Sequence, residues 1–159
     1  MPNIISMFKN LFSYKGRMRR QHFGLLIISL MVLSIALIGL TIFPTIWPLL
    51  KGGGEPDEAE LQEAIMGNIG LVVLVVALYI PIFIISLLAQ ARRFQDMGHP
   101  GWWALVTLVV SFIPIVGGAI SILVLFFLFL YPGTNGPNKY GPDPKNPQLT
   151  DMQPAPFGA

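Results

Sequence analysis

Five arginines and one aspartate carry most of the chemistry this 159-residue sequence can offer. Arg17, Arg19 and Arg20 precede the first apolar run; Arg92, Arg93 and Asp96 follow the second. A guanidinium is a planar fork of donors that suits phosphate or carboxylate. The group therefore has three readings. It could hold an anionic phospholipid headgroup. It could close on Asp96 and lock two loops together. It could be plain positive charge that sets orientation in a membrane.

Other chemistry is sparse. The chain has no cysteine, so disulfides, iron–sulfur clusters, thiolate zinc sites and cysteine nucleophiles are excluded together. Its two histidines, His22 and His99, would reach a shared metal only if two loops met, with Asp96 as a third ligand. Solvated or headgroup-level histidines are the expected state, and no metal or cofactor is implied. Ser6 and Ser13 lie near basic residues, but no serine stands in a nucleophile elbow beside a base. An enzyme is unsupported. A catalytic role would have to come from His22, Asp96 and His99.

The elements that position these residues belong in lipid. Hydrophobic residues make up 53% of the chain and charged ones 11%, with a mean hydropathy of +0.66. A soluble domain carries roughly 25% charged residues to meet water. Five of the eight acidic residues crowd between Glu55 and Glu63, and five of the ten basic ones precede Phe23. Basic residues that abut apolar runs are membrane flanks, not a nucleic-acid face.

The expected architecture is an all-α integral membrane protein with four transmembrane helices, the third and fourth a short hairpin. An interfacial amphipathic helix leads into it. Residues 1–22 hold that helix and the basic flank, with Ile4, Ile5, Phe8, Leu11 and Phe12 on one stripe, Asn3 as cap and Gly16 as stop. The alternative there is an arm packed on another subunit. The first span, 23–43, is 21 residues without charge, enough to cross a hydrocarbon core of about 30 Å. It is too long for a signal peptide and no small-residue cleavage site follows. Asp57 and Glu60 are spaced as a capping box, so a helix starts there and runs on into the second span, 65–90, with a kink at Pro81. Arg92 to Gly101 reads as a compact polar loop.

Trp102 to Tyr131 is 30 residues without charge, about 45 Å as one helix. Pro114 followed by Gly117-Gly118 is turn chemistry. A hairpin of 102–116 and 117–131 is favoured over one kinked span with its excess in the interface. Trp47, Trp102, Trp103 and Tyr131 fall where interfacial anchors sit. Residues 132–159 contain seven prolines and read as a solvent-facing, cytoplasmic tail.

Orientation follows from Lys and Arg. The N-terminal flank has five, the first connection only Lys51, the second Arg92 and Arg93, the third none, and the tail Lys139 and Lys145. Both termini are therefore expected in the cytoplasm. No ionisable residue lies in any of these spans, which argues against a pump or an ion-coupled transporter.

Three polar blocks bracket the spans. They are Phe12-Ser13-Tyr14-Lys15-Gly16-Arg17-Met18-Arg19-Arg20-Gln21-His22-Phe23, then Ala91 through Trp103, then Pro132 through Pro144. In content and order they resemble the YhaH-like bacterial inner-membrane proteins, the family known as domain of unknown function 805. That resemblance implies a multi-span inner-membrane fold and no established reaction. The family pattern has Glu where His22 stands, Trp at Gly24, His at Gln95, Arg at His99 and Ser at Pro100. A Glu–Arg or Asp–His pairing is thus not carried onto these positions.

If the three blocks converge, they make one cytoplasmic platform with Asp96 bridging arginines and the tail folded across it. Cysteines at the positions of Arg17, Gln95 and Asn138 would then cross-link in pairs. The leading functional reading is a non-enzymatic accessory or assembly subunit of a membrane complex, or a homo-oligomer. Gly117 and Ser121 offer a small-xxx-small face for close helix approach. The runner-up is a lipid or small hydrophobic-ligand binder that uses the arginines. Partners are the bilayer, an anionic phospholipid, and other membrane subunits or a second copy; nucleic acid is not among them.

Overall fold

The computed structural model describes residues 11–51 and 57–145. Those residues are helical throughout, apart from loops and one isolated bridge between Asn138 and Gly141. Five helices follow one another: α1 (Arg20–Lys51), α2 (Glu58–Gly67), α3 (Ile69–Asp96), α4 (Trp103–Ser111) and α5 (Val116–Leu130). The amphipathic helix expected at the start lies almost wholly outside the described residues, as does the tail beyond 145. Gly16, its expected stop, has a φ of +104°, a conformation glycine adopts at low cost.

Two helices are long and apolar enough to cross a membrane, through Arg20–Pro44 of α1 and Ile69–Asp96 of α3. The acidic segment starts α2 as its capping pattern implies: the Asp57 carboxylate accepts from the Glu60 N–H at 2.7 Å. It does not run unbroken into the span. Asn68 leaves helical geometry, and its side-chain amide donates to the Ala64 carbonyl, which ends α2 one residue before α3 begins.

The polar loop expected over Arg92–Gly101 is largely helix. Arg92 to Asp96 form the closing turns of α3 and are buried. The helix ends only at Gly98, whose φ is +83°. There the His99 N–H reaches back to the Phe94 carbonyl at 2.9 Å and the Gly98 N–H to Gln95 at 3.1 Å, the Schellman pattern. Two arginines and an aspartate thus belong to the end of a span that looked free of charge. They stay helical because Arg93 and Asp96, three apart, share one face and pair there.

The chain divides into two compact units. One is Ile28–Ile84, the other Met1–Ile27 together with Ile85–Ala159. In the first, the Tyr79 hydroxyl donates to the Ser34 carbonyl at 3.1 Å, joining α1 to α3. The second holds the core, built from Phe23, Ile27, Ala89, Phe94, Ala104 and Leu128. Phe129 meets Phe23 edge to face at 5.3 Å, and a Cβ on Gly24 would lie 3.1 Å from the Phe129 ring. That ring occupies the room that a larger residue at position 24 would need.

α4 and α5 pack on each other as a hairpin. The single kinked helix considered for Trp102–Tyr131 is not what forms. The chain turns through Phe112–Ile115, with Ile115 at φ +66°. Nine and 15 residues give arms of about 13 and 22 Å, short of a hydrocarbon core of about 30 Å. Gly117 is buried in this turn; a Cβ there would stand 2.4 Å from the Val110 carbonyl oxygen. The Ser121 hydroxyl donates to the Gly117 carbonyl at 2.8 Å. Gly117 therefore serves the hairpin's own packing, while the Ser121 hydroxyl bonds back along α5.

Candidate functional site

Asp96 is the centre to which the three polar blocks run. Arg17 Nε donates to one carboxylate oxygen at 3.0 Å, and Arg93 Nη1 donates to the other. Arg93 is fully buried and Asp96 nearly so. One carboxylate thus faces two guanidinium groups, and backbone carbonyls take their remaining donors. Arg93 Nε reaches the Leu128 carbonyl at 2.8 Å and Nη2 the Tyr131 carbonyl. Those carbonyls lie at the end of α5, where no following helical turn supplies N–H partners. Arg93 therefore caps α5 from α3 while it pairs with Asp96.

Arg17 performs the matching task for the segment after α5. Its Nη1 donates to the Gly136 carbonyl and its Nη2 to Thr134. Residues 132–145 do not trail away into solvent. The Thr134 N–H and hydroxyl both donate to the Asp96 backbone carbonyl, at 2.8 and 3.0 Å. Asn138 Nδ2 donates to the Gln95 carbonyl at 3.0 Å. Gly133 passes so close that an added Cβ would stand 2.0 Å from Asp96 Oδ2.

The segment is pinned locally by Asp143. Its carboxylate accepts from the Lys145 N–H at 2.8 Å and the Gly136 N–H at 2.9 Å. The Lys145 bond is the main cause that holds this carboxyl below the usual aspartate range. Thr134, Asn138 and Asp143 belong to the third polar block, whose prolines and glycines by themselves suggest only a loose tail. The signal was there in Asn and Asp, whose side chains bond backbone two residues on and so make a rigid turn without a core.

Of the arginine group, Arg17, Arg93 and Asp96 come together. Arg92 is buried on the neighbouring face of α3. Arg19 is half-buried and Arg20 exposed; with Lys145 they line a cleft of about 80 Å³ beside Asp143. His22 and His99 are both exposed. Among the described residues, no three His, Cys, Asp or Glu side chains gather as a metal site would need. Trp102 and Trp103 stack at 5.6 Å and stay substantially exposed, as does Tyr131, at the two ends of the hairpin. Trp47 stacks on Phe43 in α1 with Lys51 above its ring.

Chemically the node is a closed set of ion pairs and hydrogen bonds that holds the end of α3, the end of α5 and residues 132–136 together.

The sequence profile of a protein family of unknown function, DUF805, matches residues 11–142, which takes in the first two polar blocks, nearly all of the third and all five described helices. The chain belongs to the DUF805 family. Among curated proteins, this DUF805 member is similar to the inner membrane protein YhaI of Escherichia coli K12, at 29% identity over 141 residues, covering 89% of this chain and 93% of the relative. It is similar also to the inner membrane protein YhaH of the same strain, at 28% identity, covering 89% and 94%. No solved structure matches it. Family and apolar helices together make this DUF805 member a membrane protein, and nothing in its relatives' names supplies a reaction.

Proposed function

We propose that this protein is a non-enzymatic membrane subunit that works by association, with another membrane protein or with a second copy. One observation carries the reading. Only 6% of the apolar window in α1 and 11% of that in α3 is buried inside the chain. Nearly all of both spans must therefore be covered by lipid or by other helices, and packing between helices is what drives association in a bilayer. The closed Asp96 node supports the same view, since the one carboxylate buried in a span serves the fold. Purification at native expression in mild detergent is expected to yield a stoichiometric partner or a discrete homo-oligomer. A clean monomer would overturn the proposal.

For topology, we propose that both termini lie in the cytoplasm, with α1 and α3 crossing and the hairpin entering and leaving on the Arg93 side. Tyr131 and Trp103, at the two ends of the hairpin, both lie against the end of α3, through Arg93 and Phe94 respectively. That return supports a tail on the side of the N-terminal flank whether the hairpin crosses fully or only dips. The tip favours dipping. Phe112, Ile113 and Ile115 are exposed there without a charged neighbour. Its N–H groups at Phe112, Ile113, Val116 and Gly117 donate within the turn and Pro114 has none, so most of the tip's backbone donors are met internally, as a lipid setting favours.

Because the chain lacks cysteine, single introduced thiols report cleanly. With Asn135→Cys, an impermeant maleimide is expected to label inverted vesicles and not right-side-out cells. With Ile115→Cys, neither face should label. Labelling of Ile115→Cys from the outside would mean that the hairpin crosses.

A further inference from the structure

Arg19, Arg20 and Lys145 line a narrow cleft of about 80 Å³, together with Asp96, Gly133 and Asp143. The space is well below the roughly 300 to 1,000 Å³ of a small-molecule pocket. A single water needs about 10–15 Å³ of such space. The cleft thus has room for a compact group of a few heavy atoms, a phosphate and not an acyl chain.

Charge sets this cleft apart. Both carboxylates in its wall are already engaged. Asp96 is held by Arg17 and Arg93, and Asp143 accepts the N–H groups of Gly136 and Lys145. Among the described residues, the side chains of Arg19, Arg20 and Lys145 have no hydrogen bond or ion pair. Arg20 also stands close enough to Arg93 for the two charges to repel. Five cations therefore share two carboxylates here, which leaves an excess of positive charge for an anion to balance.

The position suits a membrane source. One apolar helix begins at Arg20 and the other ends at Asp96, so the cleft lies where both leave hydrocarbon, at the level of phospholipid headgroups.

We infer that this cleft binds one phosphate group of net negative charge, held by the guanidinium forks of Arg19 and Arg20 with Lys145 as a point charge. An anionic phospholipid headgroup and free phosphate share this chemistry, and the position of the cleft favours the lipid. Arg17 and Arg93 take no part, because Asp96 and backbone carbonyls already occupy them. The site does not depend on the association proposed above.

The test uses the full chain, stripped of lipid in a non-ionic detergent. Phosphatidylglycerol, phosphatidylcholine and inorganic phosphate are titrated in turn, and bound ligand is counted by native mass spectrometry. One phosphatidylglycerol per chain is expected to bind saturably. Arg19→Gln with Arg20→Gln should weaken it about tenfold or more, the range of charge-assisted hydrogen bonds. A melting curve like that of the wild type would separate lost binding from lost structure in this variant. Lys145→Gln keeps the backbone N–H on Asp143 and should weaken binding about two- to fivefold, which keeps the inference testable should the double variant melt early. Lys139→Gln removes a cation of the same segment that does not line the cleft, and should change nothing. Displacement of the lipid by millimolar inorganic phosphate would support the site and make free phosphate its ligand. The inference is overturned if neither phosphate compound binds saturably, if phosphatidylcholine binds as well, or if binding ignores Arg19 and Arg20. Equal weakening by Lys139→Gln would overturn it too, and leave only the general attraction of a basic face for anionic lipid.

Discussion

Asp96→Ala is expected to destabilise the protein by about 3–5 kcal/mol, the cost of stranding a buried charge by removing its partner. Arg93 is fully buried, and Asp96 is its only carboxylate partner among the described residues. The loss also frees Arg17, and with it the contacts that fold residues 132–145 back onto α3. The thermal midpoint in detergent should fall by on the order of ten degrees, followed by loss of the monodisperse size-exclusion peak. Asp96→Asn keeps the size and one acceptor but not the charge, and should fall between. Arg19→Gln and Arg20→Gln contact neither Asp96 nor Arg93 through any hydrogen bond or ion pair in the structure, and should stay within about 0.5 kcal/mol of wild type. An Asp96→Ala variant that melts with the wild type would mean that the node does not hold the fold.

Two adjacent glycines should respond with opposite signs. Gly117→Ala would place a Cβ 2.4 Å from the Val110 carbonyl oxygen and 2.8 Å from that of Ser111. Both obstacles are backbone, so relief requires α4 and α5 to part. Overpacking of this kind costs about 1–3 kcal/mol, and more where nothing can move. At Gly118 an added Cβ meets nothing within 4 Å. Gly118→Ala in the first turn of α5 should therefore be neutral or stabilise by up to about 1 kcal/mol, by limiting the unfolded chain. Thermal melts of the two variants side by side decide the matter. Equal destabilisation would show that the hairpin is not closed as described.

Ile115 belongs to the same turn. A β-branched side chain at φ +66° and ψ −55° is strained, and glycine would relieve it. An exposed isoleucine there is better suited to hydrocarbon than to water, in keeping with the proposed dip.

Much of the architecture was legible because it follows from solvent. Long runs without charge have to sit in lipid, and the Lys and Arg around them mark their ends, so the two long apolar segments could be read from order alone. The Asp57 cap was legible for a similar reason: it is a local device, complete within a few residues.

What the sequence alone determined about this protein is thus its medium, the order of its helices and the three polar blocks between them. Which of those polar residues are buried was decided only by the tertiary structure. Arg92-Arg93 and Asp96, next to Gly98, His99 and Pro100, have the composition of a loop. They remain helical because α5 ends beside them, with carbonyls that no following turn can satisfy. The Pro/Gly stretch after Tyr131 has no core of its own, so composition reads it as loose. It is held instead by donors and acceptors 38 to 119 residues away, Asp96 to Thr134 and Arg17 to Gly136. Side-chain periodicity reports only which face of one element is apolar. It carries no record of which distant carbonyl will lack a partner, and here that decides where the arginines go.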